Sequence, residues 1–262
     1  MSIYGRESTY GPTEIKMTYD EIYEECVLKS SWPNVQELVL NGYLELSDQY
    51  IHQHLGNISK IKVTACDLDD IYVSSTLKLP KINEVYIQCW GWKSTGSFMS
   101  PVYQLLYSTS NLRILQVPPP LLYNWLDYLN KNNIVCPFKT TLCQLTITRY
   151  LKPLNIEDIV LYFPNLELLK VLFYEPLYRD DVELAADVTR NLKYILGKLL
   201  PYFSTNRLSC LSLGLHLHAG NCDSSQILPF VENLLENENG FTNSMLHIQA
   251  NFDCLVLTRN HD

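Results

Sequence analysis

His216 and His218 alternate on an extended run, HLH, and so point the same way. Cys222 and Asp223 follow closely, and imidazole with thiolate or carboxylate is zinc-ligand chemistry. A structural zinc site wants four ligands at tight spacings, and this run offers no second clear pair. Two surface histidines extending a strand account for the same residues. His52 and His54 stand two apart on an expected short helix, where they cannot share a face. Asp69 with Asp70 and Asp180 with Asp181 sit in turn-like segments, where capping is the ordinary acidic role. The sequence holds no G-x-S-x-G, no glycine-rich phosphate loop and no H-E-x-x-H. Eight cysteines and six histidines leave room for thiol chemistry, yet no spacing singles out a nucleophile. The expectation is a non-enzyme with no cofactor and no metal. A metal-dependent or thiol enzyme built around His216, His218, Cys222 and Asp223 stands as the alternative.

A second pattern is far more regular. In FPNLELLKV, counting Leu166 as position 1 puts apolar residues at 1, 4 and 6: Leu166, Leu169 and Val171. NVQELVL repeats it with Val35, Leu38 and Leu40, and NISKIKV with Ile58, Ile61 and Val63. KINEVYI gives Ile82, Val85 and Ile87; NLRILQV gives Leu112, Leu115 and Val117. TLCQLTI and RLSCLSL continue with Leu142, Leu145, Ile147 and Leu208, Leu211, Leu213. SMLHIQA (Met245, Ile248, Ala250) and FDCLVL (Phe252, Leu255, Leu257) come last. Units of this size with one strand each are the signature of a leucine-rich repeat array. The variable unit lengths and the WPNV and FPNL openings resemble the irregular ribonuclease-inhibitor-like and F-box-associated leucine-rich repeats. The resemblance covers about residues 32–257, and no F-box is evident ahead of it.

That family implies an α/β fold: a curved leucine-rich repeat solenoid with a parallel sheet on the concave side. Helices and loops lie on the convex side. Residues 1–31 are expected to be a polar tail to residue 16 and then a capping helix, which Thr18 and Glu21 open as a capping box. The repeat domain is expected over 32–262. Return helices are expected at about 47–55, after Pro101 and over 121–131, with Pro118, Pro119 and Pro120 stopping the strand before the last. The longest gap, 172–207, carries apolar residues mostly at helical spacing.

Strand alternation then separates two faces. Positions 4 and 6 face the core. Positions 3, 5 and 7 face the concave side and include Glu37, Val39, Lys60, Lys62, Glu84, Tyr86, Gln88, Gln116, Gln144, Thr146, Lys170 and Ser212. The candidate protein-binding residues are Lys60, Lys62, Glu84, Tyr86, Gln88, Gln116, Gln144 and Lys170, with Trp90 and Trp92 from the loop after the third strand. Tryptophan and tyrosine are enriched at interface hot spots, although rings in such a loop also serve to seal the side of a sheet. Tyr86 and Lys62 are expected to be neighbours on adjacent strands.

Composition agrees with a binding role. The 262 residues are 47% apolar, ample for a sizeable core. A formal charge of -8 disfavours binding to phosphate backbones. Only 18% of residues are charged while 18 are tyrosine, so much of the polar surface is uncharged. The cysteines are scattered through apolar strands and read as small buried thiols. No basic-then-apolar leader and no long apolar run is present, so the expected setting is intracellular, cytoplasm or nucleus. The expected role is a non-enzymatic protein-interaction scaffold; the resemblance adds substrate recognition in a ubiquitin ligase. A structural subunit of a stable complex is the alternative of the same class. One or more proteins are the expected partners, with no membrane, nucleic acid or small-molecule substrate.

Overall fold

Alternating apolar residues in segments such as ELVLN, KIKVTA and EVYIQC suit a strand with one face buried. The computed structural model of the chain describes residues 14–18, 35–41, 44–46, 57–65, 71–73, 78–89, 101–150, 156–174, 194–199, 201–202, 208–216, 246–251 and 254–259. The chain divides into two compact units, Met1–Val117 with Leu121–Thr141, and Pro118–Pro120 with Leu142–Asp262. Both belong to the α/β class with helices between strands; the main sheet of the first unit is parallel, and in the second three parallel strands are followed by two antiparallel ones.

The first unit contains β1 (Glu14–Thr18), β2 (Glu37–Asn41), β3 (Leu44–Leu46), β4 (Lys60–Ala65), β5 (Ile71–Val73), β6 (Glu84–Cys89) and β7 (Ile114–Val117). Strands β1, β2, β4, β6 and β7 lie side by side in chain order, each parallel to the next. Parallel neighbours require a crossover between them. Two such crossovers carry β3 and β5, which pair with each other as a separate parallel ribbon. Helix α1 (Pro101–Ser108) precedes β7, and α2 (Pro119–Lys131) follows it.

Apolar spacing explains both helices. Val102, Leu105 and Leu106 are buried on α1; Leu121, Leu122, Trp125, Leu126 and Leu129 are buried on α2. The Trp125 indole stacks on Phe138 with centroids 5.1 Å apart. The expected proline stop after β7 is present, and Pro119 and Pro120 also start α2, where the missing N–H donors have no role. Asn133 ends the helix at φ 52°, a left-handed conformation that asparagine tolerates. Its N–H donates to the Asn130 carbonyl (3.3 Å) and the Ile134 N–H to the Leu129 carbonyl (2.9 Å), closing a Schellman turn.

The second unit begins with β8 (Gln144–Tyr150), α3 (Ile156–Tyr162), β9 (Leu168–Tyr174) and β10 (Cys210–His216). Strands β8, β9 and β10 are parallel neighbours. Then come β11 (Leu246–Asn251) and β12 (Cys254–Arg259). Residues 194–199 and 201–202 are helical and bury Ile195, Leu196 and Leu199, in keeping with the helical spacing of this stretch. Glu157 on α3 ties down that segment: it pairs with Lys198 at 3.2 Å and accepts from the Tyr202 hydroxyl at 3.2 Å.

Positions 1, 4 and 6 form the core wherever they are described. Leu38, Ile61, Val63, Val85, Ile87, Leu115, Val117, Leu145, Ile147, Leu169, Val171, Leu211 and Leu213 are all 0% exposed. Full burial of each such side chain is worth about 1.5–3 kcal/mol relative to exposure. The register keeps these residues in continuous rows: Leu38 faces Ile61, Ile61 faces Val85, and Val85 faces Leu115. Leu145, Leu169 and Leu211 form the matching row of the second unit.

One backbone bond recurs at the entry to the strands. The carbonyl at position 2 accepts two N–H groups from the strand that follows. Gln36 O accepts from Ser59 and Lys60, Ser59 O from Asn83 and Glu84, and Asn83 O from Arg113 and Ile114, all at 2.8–3.2 Å. In the second unit Cys143 O accepts from Glu167 and Leu168, and Glu167 O from Ser209 and Cys210, at 2.8–3.0 Å.

Three expectations are corrected. Glu14–Thr18 is a strand parallel to β2, so residues 14–16 are no tail, and the edge of β2 is taken by β1. The expected helix further on, the return helix at 47–55 and the loop with Trp90 and Trp92 lie outside the described residues. The last two strands depart from the parallel sheet that the family implies. Instead β12 is antiparallel to β10 on one side and to β11 on the other, so β11 is outermost in its sheet. Last, Val39, Thr146 and Ser212 stand on the expected open face but are 6%, 5% and 8% exposed. They are short, and the longer side chains of Lys62 and Lys170 occupy the facing register positions.

Candidate functional site

Side chains at position 3 of the first unit come from β2, β4, β6 and β7: Glu37, Lys60, Glu84 and Ile114 in register. Position 5 gives Val39, Lys62, Tyr86 and Gln116. Neighbouring strands lie about 4.8 Å apart, so side chains in one row are forced into contact. Charges of opposite sign at such positions stabilise the pairing, and this row alternates in sign.

Lys60 lies between the two carboxylates, 3.6 Å from Glu37 Oε2 and 3.9 Å from Glu84 Oε2. Its ammonium also sits 4.8 Å from the centroid of the Tyr86 ring, a cation–π contact. The Tyr86 hydroxyl donates to Glu84 Oε2 at 3.0 Å. Lys62 pairs with Glu37 Oε1 and remains 43% exposed, against 19% for the Glu37 side chain. The structure therefore brings together Lys60, Lys62, Glu84, Tyr86 and Gln116, with Tyr86 directly opposite both Lys62 and Gln116. Gln88 lies two residues along β6, exposed and opposite Thr64.

Glu37 joins this cluster, although sequence reasoning left it outside the candidate patch. The signal was its alignment with Lys60 at position 3, two like-numbered residues of opposite charge. Neither lysine is left as an uncompensated cation, which argues against a phosphate cradle.

Burial, then the hydrogen bond to Glu84 and the nearby charges of Glu84 and Glu37, push the Tyr86 hydroxyl up to about 12 from 10.0. Burial alone does the same to Tyr103, which stacks on Tyr128 with centroids 6.1 Å apart. Burial likewise lifts the Cys136 thiol to about 12 from 9.0, against small opposing effects of the Phe138 backbone and Lys139. Cys136, Cys143 and Cys210 are all thiols. A folded-state pKa above the unfolded value stabilises the fold fully below the unfolded pKa, and that stability is lost as pH rises through the folded one. Stability referable to Tyr86 and Tyr103 should therefore be flat through neutral pH and decline between about 10 and about 12. Tyrosinate absorbance during base titration checks this. Tyr86→Phe should remove one late-ionising tyrosine, and an unchanged late phase would refute the assignment.

Gln144 and Lys170 belong to the second unit. Gln144 faces Leu168, and Lys170 lies between Thr146 and Ser212. Leu168, Leu172, Cys210, Val256 and Thr258 are all partly exposed, and on this face Lys170 is flanked by uncharged groups. The two units thus present faces of different character, one a charge mesh around an aromatic ring and one mostly uncharged.

Among the described residues, no three His, Cys, Asp or Glu side chains are placed to hold a metal ion. His218, Cys222 and Asp223 lie outside the described residues. Among the described residues, no helix is long and apolar enough to cross a membrane. No protein-family model matches the chain, and no curated protein matches it either.

Proposed function

We propose that the chain is a leucine-rich repeat solenoid that acts as a non-enzymatic protein-interaction scaffold. The contact surface is the concave face carrying Lys60, Lys62, Glu84, Tyr86, Gln88 and Gln116. The observation that supports this best is the asymmetry of the sheet. Val85 and Ile87 on β6 are 0% exposed on one side, while Glu84, Tyr86 and Gln88 on the other remain at least partly accessible. A tyrosine held in place by Glu84 and Lys60 has little entropy left to lose on binding, and its ring and hydroxyl both serve contact. Charges already paired within the face favour specificity for a complementary partner over general attraction.

The test begins with affinity purification of the tagged chain from its native cell and identification of stoichiometric partners. Binding of the principal partner is then compared for wild type, Tyr86→Ala and Lys62→Glu, with melting curves for each. Tyr86→Ala should weaken binding by more than about 1 kcal/mol and leave the melting curve nearly unchanged. Undiminished binding by both folded variants would remove the contact from this face. A cullin-type adaptor among the partners would support substrate recognition in a ubiquitin ligase. A permanent partner of another kind would support the structural-subunit reading.

A further inference from the structure

We infer that Lys170 anchors a second docking site, which receives an acidic side chain of a partner protein, Asp or Glu, flanked on both sides by apolar residues. Lysines on the two units are placed differently. Lys60 and Lys62 are both held by carboxylates of their own sheet, Glu37 and Glu84. Among the described residues, Lys170 has no carboxylate to pair with. The register puts Thr146, Ser212 and Val256 in its row, all uncharged. The row before it, from Gln144 through Leu168 to Thr258, holds no acid either. In a chain with a formal charge of -8, two rows that carry one cation and no acid are the exception.

The surroundings of Lys170 define what pairs with it. Thr146 and Ser212, its neighbours across the sheet, are 5% and 8% exposed and carry side chains shorter than its own. Leu168 and Leu172 stand two residues before and after it in β9, and both are partly exposed. The ammonium therefore belongs to a residue midway between two apolar contacts about 13 Å apart along the strand. A carboxylate supplies the missing charge, and apolar residues beside that carboxylate cover Leu168 and Leu172. The pair so covered is screened by salt less than one on an open surface. A nucleic-acid backbone fits poorly, because a single cation neutralises too little of it and leaves the leucines bare. A second copy of the chain fits poorly too. Two-fold contact through this face sets Lys170 against its own equivalent, with no acid in these rows to relieve the repulsion. The site is on the second unit and does not rest on the role proposed for Tyr86.

The experiment pans a phage-displayed library of short random peptides against the full chain. Enriched peptides should carry Asp or Glu with apolar residues on both sides. A synthetic peptide from that pool should bind Lys170→Gln at least about tenfold more weakly than wild type. Its affinity for wild type should fall as salt rises. The same peptide with its acid changed to lysine should regain binding on Lys170→Glu, a rescue that a purely structural lysine does not give. Tyr86→Ala should leave the peptide's affinity unchanged, which keeps this site and the face of Tyr86 separate in the result. Absence of enrichment, a pool without acidic residues, or equal binding to folded Lys170→Gln would overturn the proposal. So would a dimer of the chain that Lys170→Gln dissolves, since the occupant is then a second copy. Salt-independent binding to the wild-type chain would overturn it even if the variants failed to fold.

Discussion

Trp125→Ala is expected to lower the unfolding free energy by about 3–5 kcal/mol, the largest single effect we anticipate. Trp125 is among the largest fully buried side chains and is 1% exposed. It lies on α2 and stacks on Phe138, itself 0% exposed, with an interplanar angle of 13°. Truncation removes the indole's burial and its ring contact with Phe138, and leaves a cavity beside that buried ring. Urea denaturation checks the value, with Val135→Ala as control. Val135 is 77% exposed, so its truncation should stay within about 0.5 kcal/mol. Equal midpoints for the two variants would contradict the packing of α2.

Leu169→Ala should cost about 2–5 kcal/mol. Leu169 is central in β9, 0% exposed, and faces Leu145 on one side and Leu211 on the other. A hole there interrupts a row of leucines instead of a margin. The loss should appear in the unfolding midpoint with the denaturant slope nearly unchanged. A wild-type midpoint would mean that the row does not face the core. The comparison with Leu161→Ala is informative, because Leu161 on α3 is 50% exposed and should tolerate truncation.

The core rows were legible because position numbering and burial are the same information in a parallel sheet. Leu115 follows Leu112 by three and precedes Val117 by two, and no other assignment buries all three. The neighbour relation of Lys62 and Tyr86 follows from that numbering, as does their pairing with Glu37 and Glu84 once like-numbered positions are compared. Strand β1 escaped notice because proline stands at its position 1: Pro12, Ile15 and Met17 keep the spacing without the leading leucine. Helix α3 was also readable, from Ile156, Ile159 and Val160, but it is short and was hidden before a strong strand signal. Direction was not readable at all. Leu255 and Leu257 fit the rows whether β12 runs up or down, since alternation with period two is symmetric under reversal. The near burial of Val39, Thr146 and Ser212 depends on the length of side chains on neighbouring strands, which no single segment contains.

The doubly accepting carbonyl at position 2 has a consequence for how such a chain can change its length. The segment between Ile58 and Ile82 is short, and that between Leu166 and Leu208 is long, yet Asn83 and Ser209 each reach the same acceptor position of the preceding strand. Alignment is thus reset at every strand entry and does not accumulate from the path travelled in between. Residues gained or lost in the return path leave the rows of Leu38, Ile61 and Val85 where they are. A residue gained or lost between the acceptor position and position 6 would instead turn that strand's core side chains outward. Drift in chain length is therefore channelled into one part of each unit, where it can supply new loops while the sheet beneath keeps its phase.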